Sequence, residues 1–163
     1  MDDLVIFDLD DTLVITKSIE TFRKNRKWGE IKYHLNETYI LEQMKKWYNE
    51  FLKRNYKIVV VTSSPKKYAE QILNYHNLKF DLIIGYHDTK LHKPYCDPYK
   101  KVIDFFSEYN NVVIIGNEIK DMLAATELSK KYNIKTKNYL FNASEKELSQ
   151  NENLIKKNEY IIL

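Results

Sequence analysis

A single cysteine, Cys96, stands in a chain of 163 residues. That excludes an internal disulfide framework and fits a reducing compartment. No apolar run approaches the roughly 20 residues a membrane-spanning helix needs. The N-terminal "MDDLVIF" carries two acids behind its Met, where a secretory signal would be basic. Together these absences point to a cytoplasmic protein without a membrane role. Glycine is nearly as scarce, with Gly29, Gly85 and Gly116 the only three, so each marks a local backbone demand such as a tight turn. A dominant charge is also missing: 26 basic against 23 acidic residues leave +3, too little to argue for nucleic acid. With no repeat, low-complexity tract or linker-like stretch, residues 1–163 read as one domain of ordinary globular composition.

What is present is an alternation of short apolar runs and longer amphipathic ones, the pattern of βαβ units around a parallel sheet. Strands are expected at "LVIFDL" (4–9), "KIVVVT" (57–62), "FDLIIG" (80–85), "NVVIIG" (111–116), "NYLF" (138–141) and "YIIL" (160–163). The second and fourth are Val/Ile-rich without alternation, as in strands buried on both faces. Ile40, Met44, Trp47, Tyr48 and Phe51 make one helical stripe; Tyr99, Ile103, Phe106 and Tyr109 make another. Ser64-Pro65 and Asp97-Pro98 read as helix starts, a capping residue before a proline at the first turn. A third helix is expected over 118–131, with Ile119, Met122, Leu123 and Leu128 inward. The fold class is therefore α/β, a doubly wound parallel sheet in a three-layer α/β/α arrangement, and ligands belong beyond the carboxyl ends of its strands.

At those ends the chain concentrates polar residues. "LVIFDLDDTL" puts Asp8, Asp10 and Asp11 within four positions. By the two-residue period of a strand, Asp8 and Asp10 share a side while Asp11 turns away. "VVVTSSP" ends the next strand in Thr62 ahead of a helix N-terminus, a setting suited to an anion such as phosphate. "HKPYCDP" offers Lys93, and "GNEIKD" sets the carboxamide of Asn117 and the carboxylate of Asp121 at the end of a further strand. Carboxylates crowded in this way repel a phosphate by about 4 kcal/mol per unit-charge pair at 4 Å and an effective dielectric of 20. Lys93 offsets part of that cost. A hard divalent cation on oxygen ligands offsets more, and Mg²⁺ is the natural choice.

The ordered set "DLDDTL", "VVVTSS", "HKP", "GNEIKD" resembles the four motifs of the haloacid dehalogenase superfamily, chiefly its phosphatase branch, and spans residues 4–125. The resemblance implies a Rossmann-like core and a Mg²⁺-dependent phosphomonoester phosphatase working through an aspartyl-phosphate intermediate. It makes Asp8 the nucleophile and Asp10 the acid and base, whose backbone carbonyl helps hold Mg²⁺. It gives Thr62, Ser63 and Lys93 to the phosphoryl group. Asp8, Asp10, Asn117 and Asp121 become the metal set. Asn117 departs from the family pattern, which has Asp there, so the site carries one negative charge fewer. Gaps of 54 positions between Asp8 and Thr62 and 31 between Thr62 and Lys93 leave no room for a full cap domain, only a small helical lid within 17–36. The expected substrate is a small phosphorylated metabolite or nucleotide. The alternatives are the end of a polynucleotide, or a non-catalytic binding module on the same fold.

Other candidates read as structural. "RKNRKWGEIKYH" (23–34) interleaves five basic residues with Trp28 and Tyr33, as a nucleic-acid groove would, but charge runs are usually solvated faces. His34, His76, His87 and His92 lack metal-ligand spacing, and His92 reads as surface loop beside the site. Cys96 reads as a small buried side chain, since nothing in the sequence supplies it with a base.

Overall fold

Alternate residues of each central strand bury on opposite faces of one sheet, and this splits the core in two. Val5 and Phe7, Ile58 and Val60, and Val113 and Ile115 point one way; Leu4 and Ile6, Val59 and Val61, and Val112 and Ile114 point the other. The computed structural model describes all 163 residues. Its strands are β1 (Asp2–Phe7), β2 (Lys57–Val61), β3 (Leu82–Ile84), β4 (Tyr109–Gly116), β5 (Lys137–Leu140) and β6 (Ile161–Ile162). They form one six-stranded sheet in the order β3-β2-β1-β4-β5-β6, every pairing parallel.

Parallel strands need crossovers, and the helices supply them. Between β1 and β2 lie α1 (Glu20–Lys24), α2 (Trp28–Ile31) and α3 (Glu42–Lys53); α4 (Lys66–Tyr75) follows β2 and α5 (Asp97–Phe106) follows β3. The chain then runs through α6 (Ile119–Tyr132), α7 (Glu145–Gln150) and α8 (Glu152–Asn158). Met44 and Tyr48 of α3 and Tyr68, Ala69, Ile72 and Leu73 of α4 cover one face of the sheet. Tyr99 and Val102 of α5, Met122 and Leu128 of α6 and Ile155 of α8 cover the other. Each fully buried Leu, Ile, Val or Phe is worth about 1.5–3 kcal/mol, so β1, with Leu4 to Phe7 all out of solvent, anchors the sheet. No helix is long and apolar enough to cross a membrane.

The doubly wound three-layer expectation matches this architecture, and each of the six expected strands is present. So is the small helical insertion. Two 3₁₀ turns, Lys17–Ile19 and Leu35–Glu37, flank α1 and α2. A two-bond bridge closes the base of the insertion: Ile15 N–H donates to the Tyr39 carbonyl at 2.7 Å and Tyr39 N–H to the Ile15 carbonyl at 3.2 Å. Ile19 and Ile31 pin it to the core.

Three local expectations are corrected. β1 ends at Phe7 rather than residue 9, because Asp11 takes a left-handed conformation (φ 59°) that turns the chain out of the sheet. Ser64 and Asp97 are not capping side chains: α4 starts after Pro65, and Asp97 is already the first residue of α5. Tyr109 leaves the α5 stripe for β4, because Ser107 (φ 55°) breaks the helix first.

Candidate active site

Strand order reverses at β1: the chain first builds outward through β2 and β3, then returns on the other side with β4. A crevice therefore opens at the carboxyl ends of β1, β2 and β4. Asp8 follows β1 directly, with its N–H donating to the Ile115 carbonyl of β4 at 2.9 Å. Thr62 follows β2, Asn117 follows β4, and Lys93 comes up from the loop before α5.

Lys93 is the centre of one cluster. Its ammonium donates to Asp8 Oδ1 at 2.9 Å, to Asp121 Oδ1 at 2.5 Å and to the Val61 carbonyl at 3.2 Å, which occupies its three N–H groups. Burial alone would lower its pKa. The charges of Asp121 and Asp8 outweigh that and hold it well above the ordinary lysine value. Asp121 is pushed up to about 6, by burial first and by the Asp8 charge, with Lys93 opposing. The remaining oxygen of Asp121, Oδ2, accepts the Glu118 N–H at 3.1 Å. Gly116 makes room for this carboxylate: a Cβ there would lie 2.4 Å from Asp121 Cγ.

Asp10 is the centre of a second cluster, built largely by the insertion and α4. Its Oδ1 accepts from the hydroxyls of Tyr68 at 2.6 Å and Thr16 at 2.8 Å, and its Oδ2 accepts from the Ser64 hydroxyl at 3.0 Å. Arg23 Nη1 lies 3.3 Å from Oδ2. Burial raises the Asp10 pKa above the usual carboxylate range; the nearby Asp8 charge adds to this, while Arg23 and the Tyr68 hydroxyl oppose it. Asp8 and Asp10 line one polar cleft of about 560 Å³, together with Thr62, Ser63, Arg23 and Trp28. Thr62 Oγ1 accepts the Ser64 N–H at 3.0 Å, which leaves its own proton to be offered to a ligand.

A third feature concerns cations. The Thr12 hydroxyl lies 3.3 Å from Asp8 Oδ2 and 3.1 Å from Asn117 Oδ1. One hydroxyl has one proton, so two acceptor oxygens converge on a single donor. The Asp10 main-chain carbonyl accepts no hydrogen bond from the protein. Hard oxygens short of donors at one edge of the site fit a hard divalent cation. Asp121, also expected in the metal set, places its Oδ1 on the Lys93 ammonium and its Oδ2 on the Glu118 N–H.

The structure thus brings Asp8, Asp10, Thr62, Ser63, Lys93, Asn117 and Asp121 to one crevice, though not for the reason the strand period gave. Asp8 and Asp10 lie beyond the end of β1, and the turn through Asp11 aims them; the Asp11 carboxylate accepts the Thr16 N–H at 3.0 Å. The 23–34 run is not simply a solvated face, since Arg23, Lys24, Arg26 and Trp28 all line the cleft. Thr12, Thr16, Ser64 and Tyr68 escaped the sequence reading. Thr12 sits inside the acidic motif and could have been found there, Thr16 lies three residues beyond it, and Tyr68 is indistinguishable from its apolar neighbours on α4. His92 stacks on the cleft residue Tyr86, with ring centroids 4.2 Å apart. His76 pairs with Thr38, and Cys96 is buried.

The sequence profile of the haloacid dehalogenase-like hydrolases matches residues 16–138. A provisionally assigned pyrophosphatase, PpaX, of Caldanaerobacter subterraneus subsp. tengcongensis is 32% identical over 97 residues, 58% of this chain. The chain spans less than half, 44%, of that relative's length. Among solved structures, a predicted phosphoglycolate phosphatase from Haemophilus somnus 129pt superposes with a TM-score of 0.73 at 16% identity, covering 99% of this chain and 93% of that one. CbbY from Rhodobacter sphaeroides, solved in complex with phosphate, gives 0.66 at 13% identity, covering 83% and 85%. These likenesses carry the fold.

Proposed function

The chain belongs to the haloacid dehalogenase-like hydrolases, and from that premise we propose that it is a phosphomonoester phosphatase with Asp8 as its nucleophile. The observation that carries the reading is the difference between two carboxylates in one cleft. Asp8 is ion-paired to the buried Lys93, which keeps an anionic oxygen ready to attack. Asp10 is desolvated and lies near the Asp8 charge, which raises its pKa above the usual carboxylate range and makes it the better proton carrier of the two. Paired carboxylates in unlike environments divide nucleophile from acid.

In the proposed reaction a carboxylate oxygen of Asp8 attacks phosphorus, and the bond from phosphorus to the leaving oxygen breaks. Asp10 gives that oxygen its proton. The Asp10 carboxylate then takes a proton from water as the water attacks phosphorus; the bond from phosphorus to Asp8 breaks, which frees phosphate and restores both residues. Thr62 and Ser63 supply O–H donors to the phosphoryl oxygens, and the Lys93 charge, held against Asp8, offsets part of their negative charge. Asp8, Asn117 and the Asp10 carbonyl would hold Mg²⁺, with Asp121 anchoring Lys93 beside them. Bound there, Mg²⁺ offsets the repulsion between phosphate and carboxylates. Of the candidate substrates, small phosphorylated molecules suit a cleft of about 560 Å³ best.

Release of p-nitrophenol from its phosphate, with and without Mg²⁺, tests the reading. Metal-dependent turnover that vanishes in Asp8→Asn supports it. Turnover no higher than in that variant removes it and leaves a non-catalytic binding module.

A further inference from the structure

Arg23 is under-used by the protein. It projects from α1, and Asp10 Oδ2, 3.3 Å from Nη1, is its one ion-pair partner, without the two parallel hydrogen bonds that Arg–carboxylate pairs commonly form. Its Nε is buried and has no partner at all. A guanidinium carries five N–H donors, and leaving them desolvated and unpaired is costly. A residue placed only to neutralise Asp10 would be aligned on it. Arg23 lines the cleft together with Lys24 and Arg26, which places its guanidinium within reach of a bound anion.

We propose that Arg23 binds an anionic group carried by the leaving portion of the substrate, so that the preferred substrates are phosphoryl groups on compact, negatively charged leaving groups. This rests on the phosphatase reading, in which Asp10 protonates the bridging oxygen. A guanidinium 3.3 Å from that carboxylate meets whatever the bridging oxygen is attached to. The second charge must therefore sit within a bond or two of the bridge. Inorganic diphosphate satisfies this, because its second phosphorus is bonded directly to the bridging oxygen. A phosphorylated two-carbon acid such as phosphoglycolate satisfies it too, with its carboxylate one carbon away. Glycerol 2-phosphate, whose leaving group is neutral, does not. The reacting phosphoryl group has the Thr62 and Ser63 hydroxyls as donors and the Lys93 charge beside it, so Arg23 is left for the second charge.

The test combines binding with turnover. In Asp8→Asn, which binds without reacting, calorimetry at fixed Mg²⁺ should give diphosphate at least about tenfold tighter binding than orthophosphate, as a charged hydrogen bond of about 1.5–3 kcal/mol implies. Adding Arg23→Gln should abolish the difference, and adding Arg23→Lys should restore part of it. In the native protein, kcat/KM for diphosphate or phosphoglycolate should exceed that for glycerol 2-phosphate by about tenfold or more, with the ratio collapsing in Arg23→Gln. Whichever of the two anionic substrates is favoured identifies the source of the second charge. Equal binding of diphosphate and orthophosphate, a ratio unmoved by Arg23→Gln, or preference for glycerol 2-phosphate overturns the proposal. If Arg23→Gln fails to fold, Arg23→Lys decides: a reduced but surviving preference supports the proposal, and an unchanged one overturns it. The calorimetric arm needs no turnover, so a failure of the phosphatase reading is seen separately.

Discussion

The Lys93 ammonium donates to Asp121 Oδ1 at 2.5 Å with both side chains shut away from solvent. Each charge is there because of the other, and removing one leaves the other without compensation. Lys93→Ala should therefore lower unfolding free energy by about 3–5 kcal/mol at neutral pH, measured by chemical denaturation.

The same pair sets a pH dependence. Asp121 is raised from 3.8 to about 6 in the folded state, so the folded protein holds that proton more tightly than the unfolded chain. The stability this group contributes is complete below the unfolded value and is lost as pH rises through about 6. Without Lys93 the folded value moves higher still, and the loss extends toward neutrality. The deficit of Lys93→Ala against the native protein should be larger at pH 8 than at pH 5. A deficit independent of pH would mean that Asp121 is not the group left uncompensated.

Gly116 has to lack a side chain because Asp121 fills the space where its Cβ would be. The neighbour is a short, buried carboxylate tied to Lys93, so it cannot swing aside cheaply. Gly116→Ala should cost about 1–3 kcal/mol by thermal or denaturant unfolding and should weaken activity together with stability. An unchanged midpoint would show that the Asp121 side chain relocates freely.

Strand positions were legible because Val- and Ile-rich runs can bury only in a sheet flanked by helices, and the four motifs fall at strand ends for the same topological reason. Less legible was what the loops do. Asp8 and Asp10 converge through a left-handed turn at Asp11 rather than through strand alternation. Tyr68 reads as one more aromatic on an amphipathic helix, yet its hydroxyl reaches Asp10 across 58 positions of sequence. Arg23 sits in a charge run whose average behaviour is solvation, and only the fold of the insertion turns it inward. Long-range partners of polar side chains are the information a single sequence does not carry.

Tyr68 supplies a donor to Asp10, and donors to a carboxylate favour its ionised form. Tyr68→Phe removes that donor, so the Asp10 pKa should rise further. A reaction that needs Asp10 protonated should then keep its activity to higher pH, while losing one of the contacts that position the carboxyl group: kcat should fall about tenfold, as positioning contributions of this size are common. A pH profile of kcat reads both effects. A basic limb that stays in place or moves to lower pH would remove Asp10 as the proton donor.

Asn117 shares the Thr12 hydroxyl with Asp8, at the edge where oxygens lack donors. Replacing its amide by a carboxylate adds a charge where a cation would sit, so Asn117→Asp should lower the half-saturating Mg²⁺ concentration for activity by about tenfold. An unchanged or higher concentration in the titration would mean that Asn117 does not touch the metal.

The most direct test of the account is to find the phosphoryl group on the protein. The native enzyme is mixed with a turning-over substrate and Mg²⁺, quenched in acid within the first turnovers, digested and examined by mass spectrometry. An acid-stable, base-labile phosphoryl group on the peptide carrying Asp8, absent in Asp8→Asn, is the predicted result. Rapid turnover with no phosphorylated peptide, or with the phosphoryl group on another residue, would contradict it.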